Sequence, residues 1–340
     1  MEKRCLFGLT LFELRELVGA LGLPGFTASQ LADWLYKKKV SSIDEMSNLS
    51  KKARELLMEN YEIGLADPVK VQESVDGTKK YLYSVDGGKF IESAYIPEDD
   101  RATLCVSSQV GCKMGCEFCM TGRQGFQGQL TAGQIVNQIH SLPEKDTLSN
   151  IVYMGMGEPF DNLTEVLKSL EIMTSEWGYA WSPRRITVST IGVIESMKIF
   201  LEKSEAHLAL SLHNPFSAER RSMMPVEKVN PLPDVLNVIR KFDWGRQRRI
   251  SFEYIMFKDV NDTKAHIDQL VKLLGGMRTR LNLIRFHAIP DTDLEGTGDE
   301  RIMAFRDELT ERGVYSTIRA SRGEDIFAAC GMLSTEEAKT

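Results

Sequence analysis

The sequence predicts an α/β protein whose main part is a partial (βα)6-type barrel, preceded by a helical accessory domain and a β-hairpin lead-in. Three observations support this fold class. Short β-rich runs recur through the second two-thirds of the 340-residue chain. Helix-length amphipathic segments separate most of these runs, which is typical of parallel βα units. The first hundred residues lack that alternation, so we divide the chain into domains at 1–65, 66–100 and 101–335.

The first domain is expected to be helical. Three segments carry apolar residues at helical spacing and are separated by Gly, Pro and Ser: TLFELRELVGALGLPGF, TASQLADWLYKKK and SKKARELLMENY. In the lead-in, Asp76-Gly77 and Asp86-Gly87 are dipeptides that favour tight hairpin turns between strands. Basic clusters occur at 37–39, 51–54 and 79–80, where solvated surface lysines are the ordinary interpretation.

The barrel strands are predicted from seven runs: TLCVSS, NIVYMG, RITVST, HLALSL, RISFEYIM, RLNLIRF and YSTIRA. Segments such as TAGQIVNQIHSL and TKAHIDQLVKLLGG have the helical period and lie between them. Such an order closes into a partial or complete barrel with its strands parallel.

Composition and charge indicate whether the protein is secreted, membrane-bound or uniformly basic. Glu13, Arg15 and Glu16 interrupt the N-terminal apolar run, so we expect no signal peptide. No apolar stretch approaches the roughly 18 residues of a transmembrane helix, and we expect a cytoplasmic protein without a membrane segment. A formal net charge of -6 argues against a uniformly basic nucleic-acid binder but allows local basic patches.

Four of the six cysteines lie in CVSSQVGCKMGCEFC. In a reducing compartment this crowding indicates metal binding or redox chemistry rather than structural disulfides. Cys112, Cys116 and Cys119 form CxxxCxxC after the first barrel strand, and no second CxxC or HxxxH supplies the fourth ligand of a structural zinc site. Three thiolates on a 4Fe-4S cluster leave one iron open to another ligand, which suits catalysis.

Further polar candidates follow the barrel strands, where βα-barrel enzymes build their sites. They are Gly157 and Glu158 in MGMGEP, Ser189, the run Ser211, Leu212 and His213, and His287. Each has an ordinary structural explanation, such as a turn or a core histidine. Cys105 and Cys330 could likewise be small buried apolar residues. The sequence alone does not place those two thiols together.

With the cluster motif, Phe118 before its third cysteine, MGMGEP, SLH and AACG, the chain resembles the RlmN/Cfr family of radical S-adenosylmethionine (SAM) methyltransferases. This family methylates an adenine of 23S rRNA. The stretch YIPEDDRATLCVSSQVGC and the N-terminal helices are more similar to the RlmN branch. The resemblance implies methylation at C2 rather than C8, in 23S rRNA and in the anticodon loop of some tRNAs.

The resemblance also implies the cofactors. A 4Fe-4S cluster would be held by Cys112, Cys116 and Cys119, and two SAM molecules would be used per turnover, one as methyl donor and one as radical source. The expected SAM contacts are Gly157, Glu158, Ser189, Ser211, Leu212, His213 and His287. The family usually has Asn at the position of His287, so that contact departs from the pattern. The electron donor would be a flavodoxin or ferredoxin.

Three residues are implied to carry the chemistry. Cys330 would be methylated on sulfur, and a radical formed on that methyl group would add to the adenine and join the enzyme covalently to RNA. Cys105 would release the product by forming a disulfide with Cys330. Glu92 would accept the C2 proton, although without the resemblance it would be interpreted as a surface residue of a strand.

RNA contacts are expected from the lysines of the helical domain and from arginines at 184–185, 246 and 248–249. Two other functions fit parts of the sequence. One is a radical SAM enzyme with a small-molecule or protein substrate, for which Cys105 and Cys330 would be incidental. The other is a zinc-stabilised RNA-binding protein without catalysis.

Overall fold

The computed structural model describes residues 3–245 and 248–335. Its strands within those ranges are β1 (Arg4–Cys5), β2 (Tyr61–Glu62), β3 (Lys70–Glu73), β4 (Lys79–Val85), β5 (Lys89–Pro97), β6 (Ala102–Cys105), β7 (Gln109–Val110), β8 (Gly128–Gln129), β9 (Asn150–Tyr153), β10 (Ile186–Thr190), β11 (His207–Ser211), β12 (Ile250–Met256), β13 (Arg280–Arg285) and β14 (Ser316–Ile318). Its α-helices are α1 (Leu11–Ala20), α2 (Thr27–Ala32), α3 (Lys51–Asn60), α4 (Met120–Gln124), α5 (Ala132–His140), α6 (Leu163–Thr174), α7 (Ile194–Lys203), α8 (Ser217–Met223), α9 (Leu232–Lys241), α10 (Lys264–Leu274) and α11 (Asp299–Glu311).

A single ten-stranded sheet organises the main part of the protein, in the order β14-β13-β12-β11-β10-β9-β6-β5-β4-β3. Seven strands pair in parallel, with Cys105 beside Val152 and Ser211 beside Glu253: β6, β9, β10, β11, β12, β13 and β14. The short strands β7 and β8 form a separate antiparallel pair. Helices connect each of these strands to the next, and β14 closes the series as a seventh parallel strand. All seven predicted strands are present, which confirms the partial βα barrel.

The lead-in strands extend the barrel sheet. β3, β4 and β5 form two antiparallel hairpins whose turns fall at the predicted Asp-Gly positions, and β5 pairs antiparallel with β6, with Ala94 beside Cys105. The Asp76 carboxylate accepts hydrogen bonds from the Thr78 amide at 2.9 Å and from the Gly323 amide at 2.9 Å. The first hairpin is therefore tied to the C-terminal part of the chain. The domain boundaries at 65 and 100 stay a prediction.

The N-terminal helices enclose a second apolar core. Leu14, Leu31, Tyr36 and Leu57 are buried in it, and a π-helix at Asp33–Lys38 continues α2 directly. Ala132 and Val136 of α5 also belong to this core, so the helical domain packs on the first helix of the barrel.

The contact between the helical domain and α5 is close enough to require glycine. A Cβ on Gly8, which has φ +97°, would lie 2.3 Å from the Gly133 nitrogen. The Tyr36 hydroxyl fixes the same segment, since it donates to the Leu9 carbonyl at 2.7 Å and accepts from the Gly8 amide at 3.1 Å. Tyr36 thus holds the residues that contact α5.

We predict that Tyr36→Phe lowers the free energy of unfolding by about 1–3 kcal/mol, because a buried amide and a carbonyl lose their partner. Urea denaturation followed by circular dichroism measures the change. Tyr315→Phe is the matched control, since the Tyr315 ring is 53% exposed and its hydroxyl makes no hydrogen bond among the described residues. An equal loss in both variants would contradict the role assigned to the Tyr36 hydroxyl.

Candidate active site

The CxxxCxxC motif lies on the loop that follows β6. Cys112 and Cys116 are buried and Cys119 is partly buried. The Glu117 amide donates to the Met223 carbonyl at 3.1 Å, which fastens the loop to α8. The Phe118 ring packs edge-on against His213 at 4.9 Å between ring centroids and also contacts Phe257. The aromatic residue of the motif therefore anchors the loop in the apolar layer above the barrel.

The three thiols suit a metal cluster better than free thiol chemistry. Burial raises the pKa of Cys112 to about 12, and it raises the pKa of Cys116 and Cys119 as well. Neighbouring thiols of the motif raise the pKa of Cys112 and Cys116 further. Unbound thiols would stay protonated at neutral pH, whereas cations can hold them as thiolates.

The arrangement of these donors is compatible with a cluster of several irons. Among the described residues, no group of three His, Cys, Asp or Glu side chains is close enough to hold a single metal ion. In a 4Fe-4S cluster each thiolate binds a different iron, so the sulfurs need not converge on one point. Three soft thiolates on one anchored loop are therefore a fitting donor set for such a cluster.

The glycine-rich loop after β9 lies against the cysteine loop. Gly157 has φ +97°, and a Cβ there would lie 2.5 Å from Gln109. The buried Glu158 carboxylate accepts from the Thr190 hydroxyl at 2.6 Å, from the Ile191 amide at 3.0 Å and from the Phe160 amide at 3.0 Å. Burial raises the pKa of Glu158 to about 7 in spite of these donors. A ligand ammonium group at this carboxylate would favour its ionised form.

The residues after β10 and β11 are held by one buried ion pair. The Arg220 guanidinium donates to the Ile191 carbonyl at 2.9 Å, the Ser211 carbonyl at 3.0 Å and the Leu212 carbonyl at 3.0 Å. Its partner Glu227 is also fully buried. Ser211 and Leu212 therefore occupy fixed positions beside the cysteine loop, while Ser189 lies in β10 and is partly buried.

His213 is a buried neutral imidazole. Its Nδ1 accepts from the Ile255 amide at 3.1 Å, which places the ring proton on Nε2. Burial lowers the pKa of His213 to about 3, and Arg220 lowers it further. The residue also has a positive φ of 54°. This strained backbone at the end of β11 aims the ring at Phe118 of the cysteine loop.

His287 lies on the loop that follows β13. Its Nε2 is 2.8 Å from the Ser321 hydroxyl and its Nδ1 is 3.0 Å from the Glu324 carboxylate. Both ring nitrogens are therefore engaged by the segment that leads to Cys330. In this structure His287 supports that segment.

Cys105 and Cys330 line one cavity of about 1300 Å³ inside the barrel. Both are free thiols. Cys105 is buried, as its ordinary interpretation predicts, but Cys330 is exposed, so the interpretation of Cys330 as a buried apolar residue is wrong. Burial raises the pKa of Cys105 to about 12 and also raises that of Cys119, and the Cys330 thiol raises both further. The Cys330 thiol is thus close enough to affect both Cys105 and Cys119 of the cluster motif.

The segment at 327–335, which we call the C-terminal strap, carries Cys330 and is attached to α4. The Met120 amide donates to the Gly331 carbonyl at 2.8 Å, and the Thr121 hydroxyl donates to the Leu333 carbonyl at 2.7 Å. Since α4 begins directly after Cys119, the position of Cys330 depends on the fold of the cysteine loop.

Glu92 is buried at the other side of the strap, so its interpretation as a surface strand residue is wrong. Its Oε2 accepts from the Ser334 amide at 2.9 Å, and its Oε1 is 3.2 Å from the Lys80 ammonium, which is also buried. The Ser107 hydroxyl donates to the Glu92 carbonyl at 2.5 Å, next to the end of β6. Glu92 is therefore fixed close to the strand that ends with Cys105.

Sequence reasoning missed the burial of Lys80, the strap contacts of Thr121, and Arg319. Lys80 was grouped with surface lysines. Leu82 pairs with Glu92 across β4 and β5, so Lys80, two residues before Leu82, lies on the same face as Glu92. Strand alternation would have revealed this once the hairpin register was known. The Thr121 hydroxyl bonds to Leu333, 212 residues away, and the Arg319 guanidinium bonds to the Met154 sulfur, 165 residues away. No sequence signal marks either contact.

The basic clusters divide into two groups. Several lysines of the N-terminal hundred residues have acidic partners: Lys38 with Asp33, Lys39 with Asp146, Lys51 with Glu55, and Lys79 with Glu144. Arg184, Arg248 and Arg249 gather around His207, whose pKa is lowered first by burial and then by these arginines. Arg246 lies outside the described residues. No helix of the described chain has the length and apolarity to cross a membrane.

Two family models match the chain. Residues 5–63 match the ribosomal RNA large subunit methyltransferase N-terminal domain, and residues 106–274 match the radical SAM superfamily. The first match falls on the helical domain, and the second runs from the residue after β6 to the end of α10.

Whole-chain comparisons agree with these matches. The chain is 59% identical to a probable dual-specificity RNA methyltransferase RlmN from Bacteroides thetaiotaomicron, over 98% of this chain and 97% of that protein. It is 40% identical to a dual-specificity RNA methyltransferase RlmN from Syntrophus aciditrophicus, over 96% and 95%. A crystal structure of a radical SAM methyltransferase from Sphaerobacter thermophilus superimposes with a TM-score of 0.91 at 37% identity, covering 98% of this chain and 100% of that one.

We predict that Glu158 makes the cofactor-free protein less stable as pH rises. Its pKa of about 7 in the folded protein lies above the ordinary glutamate value of 4.5, so its stabilising contribution is complete below pH 4.5 and is lost as pH rises through 7. Relative to Glu158→Gln, the free energy of unfolding should fall by about 2–3 kcal/mol between about pH 5 and about pH 8.

Urea titrations at both pH values measure this difference. Glu295→Gln is the control, because a hydrogen bond from Lys258 lowers the pKa of Glu295, so its contribution is present at both pH values and is lost only on acidification below about 4.5. A difference between the protein and Glu158→Gln that does not change with pH would contradict the raised pKa.

Proposed function

The chain belongs to the RlmN family of radical SAM RNA methyltransferases, and we propose that it methylates C2 of an adenine in 23S rRNA and of an adenosine in the anticodon loop of some tRNAs. We propose both RNAs as substrates because the relatives are named dual-specificity RNA methyltransferases. The reaction proceeds through an S-methylated Cys330 and a covalent enzyme–RNA adduct. It takes place in the cytoplasm, and a flavodoxin or ferredoxin supplies electrons.

The observation that carries this proposal is the position of Cys105 and Cys330. Two thiols outside the cluster motif line one cavity, and Cys330 also lies within electrostatic range of Cys119. A radical SAM enzyme that transfers no carbon to an unreactive ring position has no need of this second pair. C2 of adenine is electron-poor and does not attack the methyl group of SAM directly, so a protein-bound carbon carrier meets a chemical requirement.

The residues that would hold the cofactors follow from the same geometry. Cys112, Cys116 and Cys119 would bind the 4Fe-4S cluster, while Gly157, Glu158, Ser189, Ser211, Leu212 and His213 would contact SAM. His287 belongs to the proposed set, with its ring nitrogens shared with Ser321 and Glu324. When bound, the cluster and SAM supply one-electron chemistry and a methyl group.

Three side chains of the protein then have separate roles in the proposed reaction. The Cys330 sulfur carries the methyl carbon, and its exposed position on the strap gives that carbon access to RNA. The Glu92 carboxylate accepts the proton lost from C2. The buried Cys105 thiol then gives up its proton and its sulfur attacks the Cys330 sulfur, so an S–S bond forms while the S–C bond breaks. The electron pair of that bond stays with the carbon, which takes up a proton and becomes the methyl group. The unpaired electron left by the radical addition would return to the 4Fe-4S cluster.

Lys80 prepares Glu92 for this role. A buried carboxylate is costly to keep ionised without a partner, and the Lys80 ammonium 3.2 Å away supplies that partner. The Ser334 amide holds the other carboxylate oxygen, which couples Glu92 to the strap that bears Cys330. The base and the carbon carrier are thus positioned by one segment.

We predict that Ala at Cys112, Cys116 or Cys119 abolishes cluster binding and SAM cleavage, because each thiolate would be the protein ligand of one iron. Iron and sulfide analysis after anaerobic reconstitution measures cluster content, and 5'-deoxyadenosine release measures cleavage. Cys5→Ala removes an exposed thiol of the N-terminal domain and serves as the matched control. A motif variant with full iron content and turnover would reject the assignment.

We also predict different products for the two remaining cysteines. The unaltered protein should convert the target adenine to 2-methyladenosine, detected by mass spectrometry of RNA digests. Cys330→Ala should bind the cluster and form no methyladenosine. Cys105→Ala should accumulate enzyme covalently joined to RNA, because no thiol remains to release it. That adduct is read as a nuclease-sensitive band shift on a denaturing gel.

These outcomes also separate the competing functions. Formation of 8-methyladenosine would indicate the Cfr type of reaction. SAM cleavage without any RNA product would indicate a radical SAM enzyme with another substrate. Normal turnover of Cys105→Ala without an adduct would show that Cys105 only packs in the barrel and would reject the two-cysteine mechanism.

A further inference from the structure

Five arginines surround the end of the barrel opposite the cysteine loop. They line the same cavity as Cys105 and Cys330 but come from the starts of strands and the ends of helices. Arg249 precedes β12 and Arg280 begins β13, whereas the cysteine loop follows the last residue of β6. Because parallel strands start at one edge and end at the other, the two groups lie at opposite ends of the barrel. We call this set the arginine rim: Arg240, Arg248, Arg249, Arg278 and Arg280.

The rim lacks the acidic partners that other exposed cations have. Within the described residues, none of its five side chains forms a salt bridge with a carboxylate. Elsewhere Lys198 lies 2.7 Å from Glu195, Lys258 lies 2.8 Å from Glu295, and Arg312 lies 2.6 Å from Asp268. Unpaired charge therefore accumulates at this end of an otherwise acidic protein.

Two rim arginines are held in place and the other three are free to bind a ligand. Arg240 donates to the Leu273 carbonyl, and Arg248 donates to the carbonyls of Ala206 and Leu201 while its guanidinium stacks on Phe200. The exposed side chains of Arg249, Arg278 and Arg280 make no hydrogen bond to another described residue. Arg280 lies over the exposed ring of Tyr315, 5.3 Å from its centroid.

The field of the rim acts on a neighbouring group. Burial lowers the pKa of His207, and Arg249, Arg248 and Arg184 lower it further. The Arg249 amide donates to His207 Nδ1 at 3.1 Å, so the loop before β12 lies against the start of β11 among the arginines that line this end of the cavity. Such a concentration of positive charge attracts polyanions.

We propose that the arginine rim binds the phosphate backbone of RNA, as a second contact far from the target adenine; this inference rests on the function proposed above. Guanidinium groups bind phosphate through two parallel hydrogen bonds, and the exposed Tyr315 ring beside Arg280 offers a surface on which a base can stack. A 23S rRNA is large enough to reach both ends of the barrel. A short anticodon stem-loop offers far fewer phosphates beyond those beside its target base.

An acidic electron-donor protein is the other polyanion to consider. Electron transfer slows steeply with distance, so a donor has reason to dock near the cysteine loop. The rim lies at the opposite end of the barrel, which favours RNA as its occupant.

The test compares two triple variants of the reconstituted protein. R249Q/R278Q/R280Q removes the three ligand-free rim charges, and K198Q/K258Q/R312Q removes the same number of charges from exposed side chains that have acidic partners. Affinity for full-length 23S rRNA is measured by filter binding over a range of salt concentrations. Methylation of a short anticodon stem-loop is measured in parallel.

We expect the rim variant to bind 23S rRNA roughly tenfold to a hundredfold more weakly at ~0.15 M salt, with a salt slope shallower by about 2–3. Stem-loop methylation by this variant and rRNA binding by the control variant should be unchanged. Unchanged rRNA affinity of the rim variant would overturn the proposal, and so would an equal loss in the control. A slower reduction of the cluster by flavodoxin with intact rRNA binding would assign the rim to a protein partner instead.

The binding and methylation readouts keep the two proposals apart. If the unaltered protein forms no methyladenosine on either RNA, the proposed function fails. If it methylates both RNAs and the rim variant binds 23S rRNA normally, the proposed function stands and the rim proposal fails.

Discussion

The hydrogen-bonded junction of β5, β6 and β9 is the constraint on which the site depends. β5 pairs antiparallel with β6 and β9 pairs parallel with it, so the lead-in and the barrel share one strand that ends at Cys105. Just beyond that end, the Ser107 hydroxyl donates to the Glu92 carbonyl and accepts from the Met156 amide. One side chain therefore fixes the strand that carries Glu92 and the glycine-rich loop together. A shift of one residue in the β5–β6 ladder would turn Glu92 to the face opposite Cys105.

Two buried ion pairs fix the geometry of the site, at some cost in stability. Replacing a buried ion pair by well-packed apolar residues is often neutral or stabilising, whereas removing one partner is strongly destabilising. The Arg220–Glu227 pair is retained where it binds three carbonyls after β10 and β11, and the Lys80–Glu92 pair is retained beneath the strap. Both pairs hold backbone that apolar side chains could not bind. Their positions next to the predicted SAM contacts and the strap suggest that geometry, rather than stability, explains them.

The sequence predicted most of the fold because its signals are local. Seven alternating runs and two Asp-Gly turns depend on neighbouring residues, and the structure places strands and hairpins at each of them. The ends of strands could also be predicted, which is why Gly157, Ser211 and His213 lie next to the cysteine loop. Lys80 could not be interpreted correctly without the register of β4 and β5. The strap contacts could not be predicted from the sequence either, because these hydrogen bonds join residues more than 200 positions apart.

The strap explains how distant parts of the chain can act in one reaction. It is held on one side by α4, which begins where the cluster motif ends, and on the other by Glu92 of the lead-in. Asp325, just before the strap, accepts from the Ser74 hydroxyl at 2.5 Å in the first hairpin. Since these contacts come from three separate segments, Cys330 reaches its position only when the cysteine loop, the lead-in and the barrel have all folded. The proposed carbon carrier is therefore in place only where the cysteine loop and Glu92, the proposed base, have already taken their positions.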